Sequence, residues 1–357
     1  MVFTEPDYFT SLTGLRFFFT FGIVLYHTNK HFGSPFKTFL APIYRYGGFF
    51  GNYFFFELSG FLTAHTYGKG LVSHKKTSVS FLRSRITKIY PMYACSNAVS
   101  LCIFVYEFGM RKVKFDWIFR TFTMTAVGWI GHLTPFNSPT WFVNVLILLY
   151  ICYAVVCHIS GENKEYYVLL LLMCALLGGV LIEGQLDFPF VYPGNGIALL
   201  SYFTGTLVYE LCFHSNMFNS VHLLCGACSI LVVVFSFSII YGLQTIANDF
   251  RLVIIILIIP SLLLLSVLQP LTHLLSITPL IILGKASMFL SFWHIPIMKL
   301  YKLIIRQWLR NASIPVSVSL IIYLFILYAL ALCWVSPLRK KYLTRKSEMT
   351  GSIQVEQ

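Results

Sequence analysis

The chain has 357 residues, of which 57% are hydrophobic and only 11% are charged. Soluble domains carry about 25% charged residues, so this composition excludes an ordinary soluble domain and indicates an integral membrane protein. The formal net charge is +13, which in a membrane protein indicates basic loops beside lipid headgroups rather than nucleic-acid binding. The nine Cys lie mostly within apolar runs, which favours small buried side chains over redox or metal chemistry, and no metal site is predicted.

Long apolar runs without strand-like alternation predict an all-α bundle of about ten transmembrane helices. Residues 1–338 form the predicted transmembrane domain and residues 339–357 a polar cytoplasmic tail. An amphipathic stretch at 114–131 is predicted to be an interfacial or re-entrant helix, and no cleavable signal sequence is expected. The predicted spans lie at about 12–31, 47–66, 86–106, 140–158, 166–183, 196–213, 220–242, 250–268, 278–298 and 314–336.

The first predicted span carries two ionisable residues, Arg16 and His27. Such groups are costly inside a membrane, so each is a functional hypothesis by default. Eleven residues separate them, which is about 16.5 Å along a helix axis. Arg16 is therefore expected near one membrane face, and His27 more than halfway across.

Four motifs follow one another along the chain. They are TGLR with LYH at 13–16 and 25–27, FFFELSGFL at 54–62, FLRSRITKIYPMY at 81–93 and LGKASMFLSFWHIP at 283–296. In this order and spacing they resemble the acyltransferase-3 family of membrane O-acyltransferases. The stretch SPTWFVNVLILLYICY at 138–153 is also similar to a family segment.

This resemblance implies an enzyme that moves an acyl group, first of all acetyl from acetyl-CoA, onto a hydroxyl of a cell-surface glycan. The O-antigen of lipopolysaccharide is the first expectation for that glycan. The expected location is the bacterial inner membrane, with membrane lipids around the chain and no permanently bound cofactor. Lys and Arg divide evenly between the two sides of the predicted topology, so the expected cytoplasmic amino terminus rests on the resemblance.

His27 matches the histidine that the resemblance makes essential. Its imidazole could accept the proton of an attacking hydroxyl, or it could become acylated itself; the alternative is a structural histidine. The resemblance also implies that cations bind the phosphates of coenzyme A, because arginine forms paired hydrogen bonds with phosphate. The alternative is that these cations bind no ligand and only anchor helix ends at the membrane surface. The predicted phosphate ligands are Arg16, Arg83, Arg85 and Lys88.

Glu57 stands where an apolar residue is common in the family, one helical turn beyond Tyr53, where many members have an acidic residue. It is predicted to orient His27 or to pair with Arg16, either of which would offset its burial cost. The following Ser59-Gly60 pair is expected to allow close helix approach.

Three residues further along the chain are predicted to contact the substrate: Trp141, Asn144 and His294. Trp141 begins the TWF segment, and Asn144 is a polar group on the same predicted span. His294 matches a late histidine of the family, for which acceptor binding and packing beside Pro296 are both open.

A multi-pass transporter or flippase for a lipid-linked glycan is the rival interpretation. It would explain basic loops and intramembrane charges equally well. The chain lacks the internal repeats that mark many transporters, which weakly disfavours it. It also gives no special reason for His27 together with the cations at 83–88.

Overall fold

A computed structural model describes residues 5–131, 133–214, 226–231, 251–266, 271–308 and 314–353. All elements of this part are helical apart from an isolated bridge between Phe188 and Val191, so the all-α prediction is confirmed. The helices are α1 Glu5–Phe32, α2 Lys37–Thr63, α3 Lys69–Val72, α4 Ser78–Phe108, α5 Phe115–Phe122, α6 Trp141–Ser160, α7 Lys164–Gly184, α8 Pro193–Val208, α9 Arg251–Ser266, α10 Leu271–Leu275, α11 Thr278–Lys285, α12 Ser287–Trp308 and α13 Val316–Ile353.

Six helices of the described ranges are long and apolar enough to cross a membrane, and all six overlap predicted spans. They are 9–32, 78–108, 138–160, 164–184, 287–305 and 316–336. The predicted spans 47–66, 196–213 and 250–268 coincide with α2, α8 and α9, which are outside this set. Most of the predicted span 220–242 lies outside the described residues.

Two predicted helix boundaries differ from the structure. The predicted span 278–298 is two helices, since α11 ends at Lys285 and α12 begins at Ser287. The predicted helix 114–131 is helical only over Phe115–Phe122, after which Met124 adopts a positive φ of 58°. The helix α13 runs from Val316 to Ile353 and includes residue 338, where the predicted transmembrane domain ends; that domain boundary stays a prediction.

Glycines let α2 and α8 touch through their backbones. A Cβ on Gly60 would collide with the carbonyl of Tyr202, and a Cβ on Gly205 would collide with the carbonyl of Glu57. Small residues at a crossing permit such close packing in a membrane. The expected close approach at Gly60 is therefore confirmed, and it fixes the rotation of α2 about its own axis.

A similar contact fixes α1. A Cβ on Gly14 would meet the carbonyl of Leu275, and a Cβ on Gly284 would meet the carbonyl of Thr13. The first turns of α1 are thus held by α10 and α11, two residues before Arg16. Farther along, α1 packs against α2 and α12, and these contacts turn one face of α1 toward the centre of the bundle.

Candidate active site

A cavity of about 220 Å³ lies between α1, α2, α4, α6 and α12. Arg16 and His27 both line it, as their spacing of three helical turns on one face requires. Arg85, Lys88 and Trp141 line it too. Five predicted site residues from three segments of the sequence therefore meet around one cavity.

Aromatic rings surround the guanidinium of Arg85. Its Cζ atom lies 4.4 Å from the ring centroid of Tyr67 and 5.6 Å from that of Tyr150. The Nζ atom of Lys76 lies 4.7 Å from the same Tyr67 ring, and such cation–π contacts hold both charges in place. A hydrogen bond with Ser84 and the positive charges nearby lower the pKa of the Tyr67 phenol from its ordinary value.

Arg83 does not share this position. It does not line the cavity, whereas Arg85 and Lys88 line it and lie three residues apart on one face of α4. Arg83 and Lys88 are both exposed, and Arg85 is half-buried. Two residues along a helix turn a side chain by roughly 200°, which carries Arg83 to the opposite face. The sequence grouped the three cations by proximity, and the structure separates them.

The cationic end of the cavity, formed by Arg16, Arg85 and Lys88, contains unsatisfied hydrogen-bond donors. The Nε atoms of Arg16 and Arg85 are buried and have no hydrogen-bond partner among the described residues. None of the residues lining the described cavity is Asp or Glu. Buried donors beside uncompensated cations suit an anionic ligand with several oxygen acceptors, and phosphate is such a ligand.

The histidine end of the cavity lies farther along α1. The ring centroids of His27 and His294 are 5.1 Å apart, and the ring planes are inclined by 40°. The Nδ1 atom of His294 is 2.8 Å from the carbonyl oxygen of Leu290, one turn earlier in α12. The hydroxyl of Tyr323 on α13 donates to the carbonyl of His294, so two helices hold this residue.

Asn144 is engaged by the protein itself. It is buried, its Nδ2 donates to the carbonyl of Thr140 over 2.9 Å, and its Oδ1 accepts from the backbone N–H of Ala126 over 3.3 Å. It does not line the cavity. In this structure Asn144 ties the loop after α5 to α6, which differs from the expected substrate contact.

The placement of the Glu57 side chain also differs from the prediction. Its side chain is fully buried, and neither carboxylate oxygen has a hydrogen-bond partner in the described part of the chain. The α2 residues that line the cavity include Phe55 and Ser59, and Glu57 points away from that face. The expected pairing with Arg16 or orientation of His27 is therefore absent here.

The structure adds residues that the sequence reasoning missed. Tyr67 and Tyr150 flank Arg85, and Ser287 and Ser291 line the cavity from α12. The chain contains 21 Tyr; Tyr67 lies outside the motifs, and Tyr150 lies in the segment 138–153 without a feature that distinguishes it there. The two serines lie four residues apart in a stretch already singled out, so helical spacing could have found them.

Among the described residues, no group of three or more His, Cys, Asp or Glu is placed to hold a metal ion.

Several apolar spans around a cavity lined by cations define a multi-pass membrane protein. The model of the acyltransferase-3 family, described as an acyltransferase domain, matches residues 9–338. The chain therefore belongs to this family. The match includes every residue of the cavity.

A relative from Rhizobium radiobacter, described as protein 2 in the picA locus, is 34% identical over 103 residues. The matched region is 29% of this chain and 49% of the relative, so the chain spans about half the length of that protein. No solved structure matches the chain.

Proposed function

We propose that this acyltransferase moves an acyl group, first of all acetyl, from acyl-CoA to a hydroxyl of a cell-surface glycan. The O-antigen of lipopolysaccharide is the first candidate acceptor, and the bacterial inner membrane is the proposed location. One observation carries the proposal: a single cavity joins His27 to the cations Arg16, Arg85 and Lys88. Such a cavity suits a donor with phosphates at one end and a reactive thioester at the other.

The cationic end is proposed to bind the phosphates of coenzyme A. Arg85 is held between two aromatic rings, so its donors are preorganised for the ligand. The absence of an acidic side chain from the cavity lining means that no carboxylate competes for these cations. The thioester would then extend along α1 toward His27, about 16.5 Å of helix rise from Arg16.

At the histidine end, His27 is proposed to act as general base. Its ring accepts the proton of the acceptor hydroxyl while the hydroxyl oxygen attacks the thioester carbonyl carbon. The tetrahedral intermediate collapses with cleavage of the carbon–sulfur bond, and the thiolate of coenzyme A takes the proton back from His27. The products are the acyl ester and free coenzyme A, and His27 is restored.

The acceptor is proposed to reach His27 from the end of the bundle opposite the cationic end. Lys30, Lys299 and Lys302 act electrostatically on His31, which lies one turn beyond His27 on α1. The Nζ atom of Lys302 lies 5.6 Å from the ring centroid of Phe32. These lysines support an acceptor with negative charge, either on an acidic glycan or on the headgroup of an anionic lipid.

Membranes that contain the wild type or His27→Ala at matched levels test the proposal. Label from acetyl-CoA is followed into extracted glycan and lipid, with Arg83→Ala as a control outside the cavity. Wild-type and control membranes should label the glycan, and His27→Ala membranes should not. Equal label in all three would remove His27 from the chemistry. Glycan movement without acyl transfer would favour the transporter interpretation.

A further inference from the structure

The hydrogen bonding of His294 defines which of its ring nitrogens can accept. Its Nδ1 faces the carbonyl oxygen of Leu290 at 2.8 Å, and a carbonyl oxygen only accepts, so Nδ1 carries the hydrogen. In the neutral ring, Nε2 is then an acceptor. This Nε2 is buried and has no hydrogen-bond partner among the described residues. The ring therefore holds a free lone pair inside the protein, on a side chain that is only 1% exposed.

The position of His294 directs this ring toward His27. Ser287, Ser291 and His294 are spaced by four and three residues and so form one stripe along α12. The two serines line the cavity, and His294 continues the stripe one turn beyond it. The ring centroid of His294 lies 5.1 Å from that of His27. At this distance a rotation of the His27 ring can bring one of its nitrogens within hydrogen-bond distance of Nε2 of His294.

A neutral hydrogen-bond acceptor beside His27 would stabilise the positive charge that forms on its ring. A base histidine becomes an imidazolium during the reaction, and in many enzymes a carboxylate stabilises it. The described cavity lining has no Asp or Glu, and Glu57 faces away. Arg16, Arg85 and Lys88 bring positive charge instead. The lone pair of His294 can accept a hydrogen bond from a charged His27, since the two ring centroids are 5.1 Å apart.

We propose that His294 is a positioning residue that takes the place of the missing carboxylate. Its Nε2 accepts an N–H of His27, which leaves the other nitrogen of His27 as a lone pair toward the cavity. When His27 takes the hydroxyl proton, both of its nitrogens carry hydrogen, and one N–H donates to His294 in a charge-assisted bond. The proton leaves His27 with the coenzyme A thiolate, and His294 never changes its own protonation. This inference rests on the proposed role of His27 as base.

The test uses purified full-length protein in liposomes with acetyl-CoA and a glycan acceptor. His294→Phe keeps a planar ring without the acceptor, and His294→Gln restores an acceptor oxygen near the position of Nε2. We expect His294→Phe to lower kcat by about 10- to 100-fold with KM for acetyl-CoA unchanged, and His294→Gln to recover much of that loss. Tyr323→Phe is the matched control, because it removes a hydrogen bond to the backbone of His294 and leaves the ring in place.

A double-variant cycle separates a role through His27 from an independent one. If His294 acts only through His27, adding His294→Phe to His27→Ala causes no further loss of rate. If the rate loss of the double variant equals the product of the two single-variant losses, the proposal is overturned. It is also overturned if His294→Phe raises KM for the acceptor and leaves kcat unchanged. Equal losses in His294→Phe, His294→Gln and Tyr323→Phe, with lower melting temperatures, would make His294 structural. Full activity of His27→Ala would instead refute the proposed function itself.

Discussion

The two ends of the cavity differ in how they hold their side chains. At the cationic end, Arg85 contacts two tyrosine rings, and its Nε has no hydrogen-bond partner in the part of the chain that the structure describes. At the histidine end, His294 is fixed by hydrogen bonds to its ring and its backbone, and it contacts His27. The first arrangement suits binding of an external anion, and the second suits orientation of a base. The difference suggests that binding and chemistry are divided along α1.

The strongest test of this division is His27→Ala. It should lower kcat by about 10²- to 10⁴-fold, since general base catalysis contributes that much, while acetyl-CoA binding stays unchanged. Single-turnover rates and equilibrium binding of acetyl-CoA to the purified protein measure the two quantities separately. If His27→Ala also weakened acetyl-CoA binding, the two ends of the cavity would act as one functional unit.

Arg85→Ala should have the next largest effect and the opposite signature. Removal of charge-assisted hydrogen bonds to phosphate should weaken acetyl-CoA binding by about 10- to 100-fold, and kcat at saturating donor should change little. Arg83→Ala is the matched control, because its side chain is exposed and lies outside the cavity. If both variants bind acetyl-CoA equally well, the cationic end is not the phosphate site.

Asn144→Ala should affect stability rather than catalysis. It leaves the backbone N–H of Ala126 and the carbonyl of Thr140 without their partner, at a cost of about 1–3 kcal/mol. A lower melting temperature in detergent with unchanged KM and kcat is the expected result. A raised KM for the glycan in a protein of normal stability would return Asn144 to its sequence-based role.

The smallest effect is expected for Glu57→Gln. The two side chains have similar shapes, and the carboxylate has no hydrogen-bond partner to lose in the described residues. Initial rates and donor binding should both match the wild type. A loss of rate similar to that of His27→Ala would show that Glu57 acts on the histidine end in a state that differs from this structure.

The sequence predicted the separation of Arg16 and His27 along α1, and the ordered motifs indicated the family. Helical periodicity also separates Arg83 from Arg85, but the prediction grouped these cations by their proximity in the sequence. The sequence did not predict the direction of Glu57, because that direction depends on how α2 is rotated against its neighbours. That rotation is set by distant backbone contacts such as the one between Gly205 and Glu57. The break before Ser287 lies close to another such contact, that of Gly284 with the backbone of Thr13.

The cationic end has one further consequence for turnover. The cations at this end would bind the phosphates of the proposed donor, and acyl transfer leaves those phosphates unchanged. Spent coenzyme A should therefore stay bound about as tightly as the donor and compete with it. Release of this product can then limit the steady-state rate, as it does in many enzymes. The protein would respond to the ratio of acetyl-CoA to coenzyme A in the cell more than to the amount of acetyl-CoA alone.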